Sequence, residues 1–157
     1  MTEKQKSFMQ VAIDLSREGM TSGKGGPFGC VIVKDDIIIG KGNNQVLSTY
    51  DPTAHAEVVA IREACENLRA FQLEGCEIYT SCEPCPMCLG AIYWAKPKHV
   101  FYANTRQQAS DAGFDDDFIY QELPLPPQDR KIPMQHLPNE DAIKVFGEWH
   151  ETGNKII

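Results

Sequence analysis

The sequence has no long apolar run, and nothing in it approaches the roughly 20 residues that a membrane-spanning helix needs. Its opening, Met1-Thr2-Glu3-Lys4-Gln5-Lys6, leads into a helical pattern without the apolar stretch of a secretory leader. These two absences predict a cytoplasmic location and no membrane partner. Internal repeats and low-complexity tracts are also missing, which excludes a solenoid or a disordered tail as the organising feature. So is a basic patch. Lys and Arg number 15 against 22 Asp and Glu, a net charge of −7, and the basic residues come together in no more than scattered pairs such as Lys96/Lys98 and Arg130/Lys131. A protein whose partner is a polyanion usually gathers its cations into a patch or stripe. A small-molecule partner is therefore expected, and no nucleic acid. The loop Gly23-Lys24-Gly25-Gly26-Pro27-Phe28-Gly29 is rich in glycine but lacks the Gly-Lys-Ser/Thr ending of a phosphate cradle.

What is present fits one domain over 1–157. The 157 residues, 42% hydrophobic and 24% charged, suffice for a core that needs no staples. Of six cysteines, Cys82, Cys85 and Cys88 lie three residues apart, and without a secretory leader that pattern indicates metal rather than disulfides.

Local signals divide the chain into elements. Thr2 and Gln5 have capping-box spacing ahead of a helix with Phe8, Val11, Ala12 and Leu15 on one face, and Gly19 is its expected stop. Cys30-Val31-Ile32-Val33 and Ile37-Ile38-Ile39 form a hairpin through Lys34-Asp35-Asp36, buried on both faces. A polar loop from Gly42 to Thr53 precedes a helix from Ala54 to Leu68 with Val58, Ile61, Cys65 and Leu68 at helical spacing. Cys76 to Thr80 is a third strand, Cys85 to Ala95 an apolar helix closed by Lys96-Pro97, and His99 to Tyr102 a fourth strand. Asp111 to Asp117 is an acidic loop, and Ile132 to Leu137 an edge strand. Asn139 caps a final helix bearing Ala142, Val145, Phe146 and Trp149. The order α-β-β-α-β-α-β implies an α/β domain whose sheet mixes a hairpin with parallel crossovers.

The chemistry concentrates in two short segments, His55-Ala56-Glu57 and Pro84-Cys85-Pro86-Met87-Cys88, each where a loop enters a helix. Ligands three residues apart share one face of a helical turn, and helix N-termini favour thiolates. One imidazole and two thiolates suit zinc, and three protein ligands leave a fourth position for water or hydroxide. Glu57, two residues from the histidine, can move that water's proton. A closed site on Cys82, Cys85, Cys88 and His55 would make the protein a non-catalytic zinc module instead, but would leave Glu57 unused. An iron–sulfur site would need a fourth thiolate.

His-x-Glu followed by Pro-Cys-x-x-Cys is the motif of zinc deaminases, and the chain resembles the cytidine deaminase-like superfamily. Gly25 to Gly29, Asp51 to Glu57, Thr80 to Ala95 and Gly113 to Asp116 narrow this to a resemblance to the short bacterial guanine deaminases, over roughly residues 5–125. The resemblance implies a three-layer α/β/α fold with a mixed sheet of about five strands. It implies attack by zinc-bound hydroxide on C2 of guanine, with one zinc per chain and Glu57 as proton shuttle. Asp116 would be a second shuttle, Phe28, Asn44 and the Ala56 backbone would hold the purine, and Trp94 would line the pocket. A homodimer follows by the same resemblance, with 139–157 a C-terminal helix and tail that some members exchange between protomers; the ending Asn154-Lys155-Ile156-Ile157 lacks a terminal aromatic. Each substrate-holding residue has a plainer reading: Asn44 as a turn residue, Phe28 and Trp94 as core, Asp115 to Asp117 as a solvated loop. Guanosine, tRNA adenosine and cytosine deaminases share the metal chemistry and are the rival readings.

Overall fold

The hairpin of β1 (Gly29–Lys34) and β2 (Ile37–Asn43) starts the sheet. Its two-residue turn is Asp35-Asp36, both at positive φ (49° and 64°), the backbone twist that a tight hairpin needs and that Asp tolerates. A computed structural model, which describes residues 1–153, sets these strands in a four-stranded sheet of order β2-β1-β3-β4, with β3 (Glu77–Cys82) and β4 (His99–Asn104). β1 runs antiparallel to both β2 and β3, and β3 runs parallel to β4 across a helical crossover. β1 and β3 are interior and buried along nearly their whole length. β2 is an edge, so its first residues are exposed or half-buried, and the hairpin is not buried throughout as the sequence suggests.

Helices cover both faces, giving three layers. Helix α1 (Glu3–Thr21) opens with the expected capping box and packs Met9 and Ala12 against Val31, Val33 and Tyr79. On the opposite face, α3 (Ala56–Leu68) and α4 (Pro86–Ala95) pack Ala56, Ala60, Ala64, Ile92 and Ala95 against Cys30, Ile32 and Ile78. Gly19 does not stop α1, which runs two residues further. Its lack of a side chain serves packing, because a Cβ there would sit 2.9 Å from the Cβ of Asn43.

The sequence reading undercounts helix and overcounts strand. The polar loop holds a short α2 (Val46–Thr49), and α5 (Arg106–Asp111) and α6 (Asp117–Glu122) flank the acidic loop. The sheet has four strands rather than five, since Ile132 to Leu137 carries no regular structure. Pro133 within that run cannot donate to a ladder, and Pro138 follows it. The described residues form two compact units, Met1–Tyr120 and a second from Gln121 onward. The second contains a short 3-10 turn (Pro127–Asp129) and α7 (Glu140–Glu151), capped by Asn139 as predicted. Among the described residues no helix is long and apolar enough to cross a membrane. The tail Asn154 to Ile157 lies outside the described residues.

Candidate active site

Two helix N-termini on one side of the sheet bring the metal-type ligands together. His55 is the N-cap of α3 and Cys85 the N-cap of α4, both in extended backbone, and neither caps with its side chain. Pro86 at the first position of α4 fixes the helical entry, which suits a residue whose N–H would have no partner. On the α3 side, Gly42 makes the seat: a Cβ there would run into the Ala56 carbonyl, so only glycine lets the start of α3 lie this close to β2.

The ligand atoms of His55, Cys85 and Cys88 all lie within 4.8 Å of one another. His55 Nδ1 is 3.6 Å from Cys85 Sγ and 3.5 Å from Cys88 Sγ. Zinc bonded tetrahedrally to sulfur at about 2.3 Å and nitrogen at about 2.0–2.1 Å would hold such atoms about 3.6 Å apart. The donor set and its edge lengths therefore fit one zinc ion. Cys82 is not in the cluster; it is buried, its Sγ lies near the Thr105 carbonyl, and burial pushes its thiol up to about 11. A closed four-ligand site is thus not what the fold assembles.

The same groups share charge closely. The hydrogen bond with Cys88, then that with His55, holds the Cys85 thiol down to about 4 against the opposing effect of burial. Cys88 is pushed up, first by its hydrogen bond with Cys85 and then by burial. The hydrogen bond with Cys85 raises His55. Glu57, only 6% exposed, is raised by burial. Its Oε1 accepts a hydrogen bond from the Thr80 hydroxyl at 2.8 Å, and its Oε2 lies 3.3 Å from Cys88 Sγ.

A cavity of about 710 Å³ opens over these groups, lined also by Phe28, Asn44 and Asp116. Phe28 meets Phe114 edge to face with centroids 4.9 Å apart, forming an aromatic wall. Asn44 does serve a turn, since its Oδ1 accepts from the Val46 N–H at 3.2 Å. That bond identifies the oxygen and leaves the amide nitrogen as the group that Asn44 offers to the cavity. Asp116 has a buried Oδ1 without a hydrogen-bond partner, and burial raises its carboxyl. Ala56 is fully buried between the two lining residues His55 and Glu57. Trp94 is not brought to the cavity. It is 65% exposed on α4, and six residues after Cys88 at about 100° each put it about 120° around the helix from the ligand face.

Sequence reading passes over three residues. Thr80 holds Glu57. Arg106 clamps the loop that carries Asp116: its guanidinium lies 4.3 Å over the Tyr120 ring, 3.1 Å from Asp117 Oδ1 and 4.0 Å from Asp116 Oδ1. Glu83 accepts the Arg106 backbone N–H at 2.9 Å. Thr80 and Glu83 fall within the stretch that carries the resemblance, but nothing there gives either a role, and nothing local marks Arg106.

Comparison with known proteins agrees with this geometry. Residues 2–104 match the family model described as the cytidine and deoxycytidylate deaminase zinc-binding region. The guanine deaminase of Bacillus subtilis is 53% identical over 150 residues, covering 96% of each chain. An X-ray structure of guanine deaminase from that organism superposes with a TM-score of 0.93 at 52% identity, covering 99% of this chain and 98% of the other. A tRNA-specific adenosine deaminase of Aquifex aeolicus is 34% identical over 143 residues, covering 90% of this chain and 91% of its own.

Proposed function

The chain belongs to the cytidine and deoxycytidylate deaminase zinc-binding family, and from that premise we propose that it is a zinc-dependent hydrolytic deaminase converting guanine and water to xanthine and ammonia. The observation that carries the reading is the convergence of His55, Cys85 and Cys88 with the buried Glu57 carboxylate at one cavity. His55, Cys85 and Cys88 would hold the zinc. Bound there, zinc supplies the Lewis acidity that makes water nucleophilic near neutral pH.

Glu57 then carries the protons. Its carboxylate takes one from the attacking water and returns it to the ring nitrogen beside C2. A second transfer turns the amino group into ammonia. Burial raises the Glu57 carboxyl toward working pH, as a group that both accepts and returns a proton requires. Asp116 is the second shuttle, beside the departing amine. Phe28, packed edge to face on Phe114, gives the base an aromatic wall, the Asn44 amide nitrogen donates to a purine acceptor, and the Ala56 backbone meets the base edge. Trp94 has no role in this assignment.

Charge bears on one of the rival substrates, the tRNA. Glu57, Glu83, Asp115 and Asp116 line the cavity; besides the proposed zinc, the one Lys or Arg among its described lining residues is Arg106, whose guanidinium is engaged by Asp117. A polyanionic tRNA or a phosphorylated nucleotide meets repulsion there, whereas a neutral base does not. We further propose a cytoplasmic homodimer in which 139–157 is exchanged between protomers. It is supported by α7, which exposes Ile143, Val145, Phe146 and Trp149 to 70, 57, 80 and 45%; apolar surface of this kind marks a contact.

Ammonia release by the zinc-loaded protein, measured in parallel with guanine, guanosine, adenine and cytosine, tests the substrate. Release from guanine, with xanthine formed, is expected. Release from guanosine or cytosine alone would keep the zinc chemistry and overturn the base assignment.

A further inference from the structure

The face that β3 turns toward α3 is apolar except at one place. Ile78 lies opposite Ile32, and both belong to the core cluster with Cys30, Ala56 and Ala60. Thr80, one inward position further along β3 and opposite Cys30, is 1% exposed and brings a hydroxyl to that surface. A buried hydroxyl without a partner is costly, and this one spends its proton on the Oε1 of Glu57 at 2.8 Å. The other carboxylate oxygen, Oε2, is the one on the Cys88 side, 3.3 Å from its Sγ. The two oxygens of the carboxylate are therefore not equivalent.

We propose that Thr80 is a positioning residue that assigns the two oxygens of Glu57 different tasks. Oε1 is anchored to the strand, which leaves Oε2, on the Cys88 side, to carry the proton. This inference rests on the proton-shuttle reading of Glu57. The shuttled proton arrives at Oε2 and leaves from Oε2, so no rotation of the carboxylate intervenes between the two transfers. The anchor comes from β3, an interior strand held on both sides by its neighbours, which is the rigid support that a reacting group requires. An isosteric valine at position 80 would keep the packing and free the carboxylate to turn.

The test is steady-state kinetics on guanine with the zinc-loaded full chain and the variants Thr80→Val and Thr80→Ser. Thr80→Val is expected to lower kcat by about 10–100-fold, the usual cost of losing an outer support of a metal site. KM, zinc content and thermal midpoint stay at parent values, and Thr80→Ser, which keeps the hydroxyl, restores most of kcat. Thr80→Ala repeats the loss with a smaller side chain, so an ill-packed valine leaves the Ala/Ser pair to decide. In a Glu57→Gln background, Thr80→Val should cost nothing further. Parent kcat in both Thr80→Val and Thr80→Ala, or a loss that serine does not restore, overturns the proposal. Glu57→Gln alone separates the two claims: full activity in that variant sinks the shuttle reading itself, whereas an inactive Glu57→Gln beside fully active Thr80→Val and Thr80→Ala sinks only the role of Thr80.

Discussion

Helices α3 and α7 are nearly equal in length, 13 and 12 residues, yet they are held in opposite ways. α7 has the stronger local signals. Asn139 accepts from the N–H groups of Asp141 and Ala142, acidic residues fill the first turn, and His150 lies in the last, but none of its residues is buried. α3 has no side-chain cap, yet it buries Ala56, Glu57, Ala60 and Ala64 in a close seat on the sheet. The fold holds α3 firmly enough that its N-cap residue is released from capping. In the proposed function that freedom leaves His55 to hold the zinc.

Four measurements break or sharpen this contrast. The largest effect belongs to the metal on the α3 side. Chelation is expected to abolish ammonia release, and added zinc to restore it, while the circular dichroism of the helices changes little. Replacing Glu57 by Gln comes next, with kcat down by about 10²–10⁴-fold and zinc content unchanged by metal analysis. A variant that lost its zinc along with activity would mean that Glu57 supports the site rather than the proton.

The third is a pair of glycines, compared by urea denaturation. Gly42→Ala pushes a Cβ into the Ala56 carbonyl and should destabilise by about 1–3 kcal/mol, as overpacked cores do. Gly147→Ala in α7 meets nothing within 4 Å, and should stabilise that helix by about 0.5–1 kcal/mol. Equal effects at the two positions would erase the distinction between the helices. The smallest effect is Asn139→Ala, about 1 kcal/mol on α7 alone. Amide exchange over 140–151 should speed up while exchange in α3 stays as it was.

The parts of this site that lie within a few residues of each other were legible before folding. His55 with Glu57, and Cys85 with Cys88, are local pairs whose spacing on a helical turn states their chemistry. The caps Thr2 and Asn139 are local in the same sense. Thr80 was not legible, because a threonine in a strand is ordinary and its partner lies 23 residues away. Arg106 acts through Asp117 and Tyr120, which only the turn after α5 brings to it. Gly19 was misread because glycine has two uses, ending helices and admitting neighbours, and only the position of Asn43 decides between them. Trp94 was placed at the pocket by resemblance, whereas helical periodicity from Cys88 points it elsewhere. The fifth strand failed where Pro133 interrupts a run otherwise suited to an edge.

The separation of the ligands along the chain also bears on how the protein comes to exist. His55 and Cys85 are 30 residues apart, and β3 must be laid against β1 before the turn at Cys85 can face the turn at His55. Closing such a loop in an unfolded chain is an entropic cost that local helix formation cannot offset. The three ligands are therefore brought together by the tertiary fold and not by the local formation of either helix. A chain with its strands out of register would not bring the three donors within reach of one another, so the metal site is expected to report on correct assembly of the sheet.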